Sequence, residues 1–270
     1  MADPLKLMCV LAHPDDEALG TGGILAKYAA EGVETYLVTA TDGEHGWYGA
    51  EEDYPGAETL AQRRRQETCA AAEVLGIKDV FFLGYEDGQL DQADPDEVIA
   101  KIVDQLRRVG PDVVVTFDPN GSYGHPDHIA ICQLATAATV AAAGADDDGA
   151  GSLPPHHVSK LYYLAATEEI FTIHQQLFGE LTLEIDGCLR RPVAWEPWAL
   201  TTRVNTSDYW EQVWRAIACH RSQLPTYEVL MNSPDAQRRR LYQMQSFYRA
   251  YSLVNGGRGA EHDLFTGLRE

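Results

Sequence analysis

The sequence predicts an α/β fold: a mostly parallel sheet with helices on both faces. Three observations carry this. Short apolar runs alternate with helical stretches through the first half, glycines fall where the helices should stop, and a polar cluster follows each apolar run. "LKLMCVLA" (5–12) reads as the first strand, and 17–31 as a helix closed by Gly32 at C′. "VETYLVTA" (33–40) is a second strand, followed by a long polar loop over 41–59. Apolar positions at helical spacing over 60–75 end at Gly76. "DVFFLG" (79–84) and "PDVVVTF" (111–117) are further strands, with a helix over about 95–109 between them. An Ala-rich helix over about 126–143 runs into "GADDDGAGSLPP" (144–155), a surface loop. Beyond it the pattern is weaker. "VSKLYYLA" (158–165) and "LTLEID" (181–186) read as strands, and 207–223 as an amphipathic helix with Ser207 as N-cap. The expectation is one domain over 1–270, with a Rossmann-like core over about 5–143 and a C-terminal α+β extension over about 156–270.

Composition bounds the function. With 21 Lys+Arg against 41 Asp+Glu the net charge is −20, and no basic stripe is present to meet nucleic-acid phosphates. Five scattered cysteines without a CxxC pair read as free thiols of a reducing compartment. "MADPLKLMCVLA" lacks a basic n-region, and no apolar run has the length of a membrane span, so a cytoplasmic protein is expected. No G-x-G-x-x-G follows the first strand, which argues against a dinucleotide cofactor.

In parallel sheets ligands bind at the carboxyl ends of the strands. "HPDDE", "TDGEHG", "GYEDG" and "DPNGSYGHPDH" all fall at such ends. His13 and Asp16 sit at a helix mouth, and "SYGHPDH" (122–128) adds His125 and His128. Two histidines and one aspartate around an open position are the donor set of a catalytic zinc. Asp15, beside Asp16, is placed to take a proton from the attacking water. Glu17 reads as an acid favoured in a first helical turn. His156, His157 and His174 read as exposed loop residues, and His220 as a packed, hydrogen-bonded histidine on an amphipathic helix.

"AHPDDEALGTGG" together with "YGHPDH" resembles the PIG-L (LmbE-like) superfamily of zinc-dependent de-N-acetylases. The likeness covers 5–130 and continues through "RRRQETCAAAEVLG", "FFLGYEDGQL" and "CHRSQ", while 145–205 has no counterpart. The resemblance implies His13, Asp16 and His128 as metal ligands and Asp15 as general base. It implies His125 as oxyanion stabiliser and acid for the leaving amine, with Asp127 holding its ring, and Tyr123 as a second oxyanion contact. Arg64 and Asp87 match sugar-binding positions.

The activity implied is removal of acetyl from an N-acetylglucosamine-type conjugate, with Zn²⁺ as cofactor and Fe²⁺ or Co²⁺ as substitutes. The expected partner is a small N-acetylated sugar conjugate, and a homo-oligomer is compatible with the resemblance. Two rivals stand beside this reading. One is an amidase of the same fold acting on a thiol conjugate or an imide. The other is a non-catalytic sugar binder, against which the full set of His13, Asp15, Asp16, His125 and His128 argues.

Overall fold

Residues 7–11 are wholly buried, as expected of a strand covered on both faces, and β1 (Lys6–Leu11) forms around them. The computed structural model describes residues 3–144, 153–185, 187–254 and 259–269. In chain order follow α1 (Asp16–Gly20), α2 (Gly22–Ala30), β2 (Glu34–Thr41), α3 (Ala57–Leu75) and β3 (Asp79–Tyr85). Next come α4 (Pro95–Val109), β4 (Val113–Thr116), the short α5 (Gly121–Gly124), α6 (Pro126–Ala141) and β5 (Lys160–Leu164). The chain continues with α7 (Glu168–Phe178), β6 (Leu183–Ile185), β7 (Cys188–Arg190) and β8 (Thr202–Asn205). It closes with α8 (Trp210–Ile217), α9 (Leu224–Met231), α10 (Asp235–Tyr242) and β9 (Met244–Ser252).

Seven strands form one sheet in the order β3-β2-β1-β4-β5-β9-β8, and β6 pairs with β7 separately. The pairs from β3 through β5 are parallel, while β5–β9 and β9–β8 are antiparallel. Helices α2, α3 and α8 pack together, as do α4 and α6. Winding runs outward in opposite senses from β1 and from β4, so the crevice between their carboxyl ends is the topological switch point, where such sheets bind ligands. The C-terminal segments extend the same sheet through β5, β9 and β8.

Several boundaries differ from the sequence expectation. The helix over 17–31 is two helices meeting at Thr21, whose hydroxyl donates to the Glu17 carbonyl (3.0 Å). Glycines at 20, 22 and 23 weaken a continuous helix and admit close neighbours instead. A Cβ on Gly23 would stand 2.8 Å from both the Gln245 Oε1 and the Thr206 Cβ. Gly23→Ala should therefore destabilise the protein by about 1–3 kcal/mol despite the better helix propensity of alanine. Thermal unfolding with the cation state held constant checks this, and an unchanged or raised Tm would count against such tight packing.

Ser207 does not cap α8: the helix starts at Trp210, and Ser207 donates its N–H to Asn205 Oδ1 (2.9 Å) in a turn. The strand over 181–186 shrinks to β6, and residue 186 lies outside the described residues, as do 145–152 of the expected surface loop. Among the described residues, no helix is long and apolar enough to cross a membrane.

Candidate active site

β1 delivers the chain directly into "HPDDE", and β4 into "DPNGSYGHPDH", on adjacent strands at the switch point. His13 Nδ1 and His128 Nε2 lie 3.1 Å apart. Asp16 stands 3.6 Å from each, through Oδ2 to His13 and Oδ1 to His128. A tetrahedral ion with ligand bonds of about 2.0–2.2 Å has ligand–ligand edges of about 3.3–3.6 Å. The two nitrogens lie somewhat closer than that and the two Asp16 approaches use different oxygens, so the three side chains converge on one point without forming a finished tetrahedral face. His125 also reaches the cluster, in a possible His13–His125–His128 group.

The outer contacts of His13 fit the same reading. Its Nε2 faces Asp127 Oδ2 at 3.1 Å and Asp87 Oδ1 at 3.2 Å. A proton on Nε2 then leaves the Nδ1 lone pair free, the arrangement that outer carboxylates impose on metal-binding histidines. His13, Asp87 and Asp127 can also be drawn as a second cation group, but it would use the nitrogen that faces away from His128. We therefore assign those two carboxylates to orienting His13. Burial alone would lower the His13 pKa, yet Asp127, Asp16 and Asp87 raise it well above its ordinary value, so this pocket favours positive charge. Burial alone would raise the Asp16 carboxyl, but His128 and His13 hold it well below the usual carboxylate range. Burial drives His128 down to about 3, which keeps the ring neutral and available as a ligand. That ring is fixed by stacking on Phe117 at 3.8 Å, while its buried Nδ1 has no hydrogen-bond partner among the described residues.

Asp15 is one of two strained non-glycine residues of the site, with φ 102°. Its Oδ2 accepts from Tyr227 OH (2.8 Å) and from Arg64 Nη2 (3.1 Å). Burial raises its carboxyl above the ordinary value against the lowering effect of Arg64, which makes it a better base than a solvated aspartate.

His125 caps α6: its Nδ1 accepts the Asp127 N–H (3.2 Å), so the neutral ring carries its proton on Nε2. It is thus the backbone of Asp127 that holds the His125 ring. The Asp127 carboxylate accepts instead from the Gly88 and Leu90 N–H groups at 2.7 and 3.0 Å. Burial and the neighbouring His13 hold His125 below its ordinary pKa. Tyr123 meets His128 and His125 edge-on at 5.4 and 5.9 Å, next to Ser122 at φ 64°.

The two expected sugar contacts have internal partners. Arg64, only 4% exposed, donates to Gly43 O and Pro14 O as well as to Asp15. Asp87 accepts the His45 N–H (3.2 Å) besides facing His13. Both still border the cavity.

Other residues carry more than the sequence disclosed. Glu17 does not simply serve the helix start: it is wholly buried and bonded to His220 Nε2 (2.6 Å). Tyr227 and Trp195 gave no sequence signal, and Asp118 figures only as part of the "DPNGSYGHPDH" cluster. The Asp118 carboxylate accepts from Ser122 N–H (2.8 Å) and Trp195 Nε1–H (3.0 Å). His156 is half-buried and donates to Pro111 O (2.8 Å), and His174 lies half-buried on α7, so neither is an exposed loop residue.

These groups open into a cavity of about 1280 Å³. The β2–β3 side is polar, with His45, Arg64 and Asp87. The β5–α7 side is mixed, with Leu164, Ile170, Phe171, Val193 and Trp195 beside Glu168, Glu169 and His174. In the loop after β2, Tyr48 stands 59% exposed at the mouth, whereas Trp47 anchors the loop by donating to Ala50 O (3.0 Å).

Fold and site together define an α/β protein whose switch-point crevice carries a His–carboxylate centre suited to a divalent cation. Residues 8–139 match the family described as GlcNAc-PI de-N-acetylase, PIG-L. The chain is 30% identical to a mycothiol S-conjugate amidase of Streptomyces coelicolor, over 100% of this chain and 99% of that one. It belongs to the PIG-L family. A 1D-myo-inositol 2-acetamido-2-deoxy-α-D-glucopyranoside deacetylase of Kineococcus radiotolerans is 38% identical over 61% of this chain. That match spans about half (53%) of the relative's length. Among solved structures, an N,N'-diacetylchitobiose deacetylase from Pyrococcus horikoshii superposes with a TM-score of 0.69 at 24% identity. It covers 92% of this chain and 84% of that one, a likeness of fold alone.

Proposed function

We propose that the protein hydrolyses the acetamide of an N-acetylglucosamine-type conjugate, with Zn²⁺ held by His13, Asp16 and His128. The observation that carries this is the convergence of those three side chains, with donor atoms 3.1–3.6 Å apart, beside a separate carboxylate, Asp15. Donors of nitrogen and oxygen without thiolate also admit Fe²⁺ or Co²⁺. When bound, such a cation acidifies water and polarises an amide carbonyl.

The chain's own residues supply the rest. With Asp15 Oδ2 held by Arg64 and Tyr227, Oδ1 is the oxygen left to take the proton from the attacking water. His125 Nε2–H, with Tyr123 beside it, donates to the oxygen that gains charge as the carbonyl carbon becomes tetrahedral. The C–N bond then breaks. The amine takes the proton that Asp15 holds, and acetate leaves. Asp15 suits this return better than His125, because the Asp127 N–H opposes protonation of His125 at Nδ1.

The polar wall suits a sugar ring, and Arg64 and Asp87 would contact it through whatever hydrogen-bonding capacity their internal partners leave. The cavity exceeds the roughly 300–1,000 Å³ common for small ligands, which supports a substrate larger than a monosaccharide. Leu164, Ile170, Phe171 and Trp195 on the β5–α7 side favour a substituent with an apolar face. The test compares amine release from phenyl and myo-inosityl N-acetylglucosaminides, free N-acetylglucosamine and an acyclic N-acetyl amine. Glucosaminides should win over the acyclic amide by tenfold or more, and the phenyl glycoside should show the lowest KM. Equal rates on all four would overturn the sugar-specific reading. The likeness to a mycothiol S-conjugate amidase over 100% of this chain supports a second reading, an amidase acting on the amide of a thiol conjugate. Faster cleavage of such a thiol-conjugate amide than of the N-acetylglucosaminides would decide for it.

A further inference from the structure

We infer that the buried Glu17–His220 pair is a positioning device that holds the general base Asp15 in its strained conformation; this rests on the role proposed for Asp15 above. Glu17 Oε2 accepts the Asp15 N–H at 3.0 Å, and Glu17 Oε1 meets His220 Nε2 at 2.6 Å. Glu17 and His220 are both wholly buried. Among the described residues the buried His220 Nδ1 has no hydrogen-bond partner, and the ring's hydrogen bond there goes to Glu17. A carboxylate in such surroundings is costly unless each oxygen is engaged, and here one engages the base's backbone and the other the imidazole.

Asp15 is where this matters. A non-glycine residue at φ 102° carries strain on the order of 1–3 kcal/mol and persists only where its surroundings over-determine it. Here they do so at both ends. Arg64 and Tyr227 grip the carboxylate, and Glu17 grips the N–H. Without the Glu17 contact the peptide can relax toward negative φ, which swings the side chain off the reacting carbon while the carboxylate partners resist. His220 comes from the segment after α8, and Tyr227 from α9, so the C-terminal part of the chain fixes the base from two directions. A simple buried ion pair pinning that segment to α1 would need no contact to Asp15.

The test uses the full-length, cation-loaded protein with His220→Ala and His220→Gln, since a glutamine amide can donate to Glu17 from near the position of Nε2. Cation content should stay near wild type in both variants, because His220 touches no ligand. His220→Ala should lower kcat roughly 10²-fold with KM within threefold, as misplacement of a reacting group does, and His220→Gln should recover most of that loss. Crystal structures of the two variants give a readout independent of activity: Asp15 should leave the left-handed region in His220→Ala and keep it in His220→Gln. A folded, loaded His220→Ala with kcat within threefold of wild type, or with Asp15 unmoved, overturns the inference. So does a glutamine variant as impaired as the alanine one. If the wild type hydrolyses none of the amides above, the proposed function fails, and the crystal structures alone then decide this inference.

Discussion

Asp15→Asn is expected to keep the cation and to lower kcat by roughly 10³-fold or more. Asparagine is nearly isosteric, and its amide oxygen can take over the two hydrogen bonds that Oδ2 accepts from Tyr227 and Arg64. The NH₂ group then occupies the place of Oδ1, where a proton acceptor is required, and general base catalysis is typically worth about 10²–10⁴-fold. Losing the negative charge near the reacting centre adds to that. Because the change is felt in the transition state, kcat and kcat/KM should fall together. Elemental analysis beside steady-state kinetics separates this from a ligand effect. A loss below tenfold would move the base elsewhere. The nearby carboxylates Glu17 and Asp127 are poor replacements, since both oxygens of each are already engaged.

His128→Ala should release the cation and abolish activity together. Truncation also removes the stacking on Phe117, so a lower Tm by itself proves little. The decisive readout is the response to metal. Wild-type protein should lose thermal stability when stripped with chelator and regain it with Zn²⁺, because a ligand that binds only the folded state stabilises it by mass action. The His128→Ala protein should show no such response. Full cation occupancy in that variant would show that His128 is not a ligand, and would point to the alternative grouping of His13 with Asp87 and Asp127.

The sequence by itself determined the parallel core. Runs such as "LMCVL" and "VVVT" can be stable only when covered on both faces, and helices flanking each run supply that cover. It also determined where His13, Asp15, Asp16, His125 and His128 would meet, because residues just after adjacent parallel strands share one edge of the sheet. The second half was less legible. Strands β8 and β9 are short or half-buried, and their antiparallel pairing with β5 depends on contacts remote in sequence.

Only the tertiary structure decided what each acidic residue touches. Asp127 lies within two positions of His125, yet its carboxylate serves His13 and the N–H groups of residues 88 and 90. Arg64, for which the family resemblance implies a sugar contact, is buried against the Asp15 loop. Glu17 looks like a helix-start acid, and its partner lies 203 residues away. Periodicity reports which face of an element is buried, a local property that each short stretch of chain carries. A hydrogen bond depends on distances of a few tenths of an ångström between atoms that the fold alone brings together, and spacing along the chain does not encode those distances.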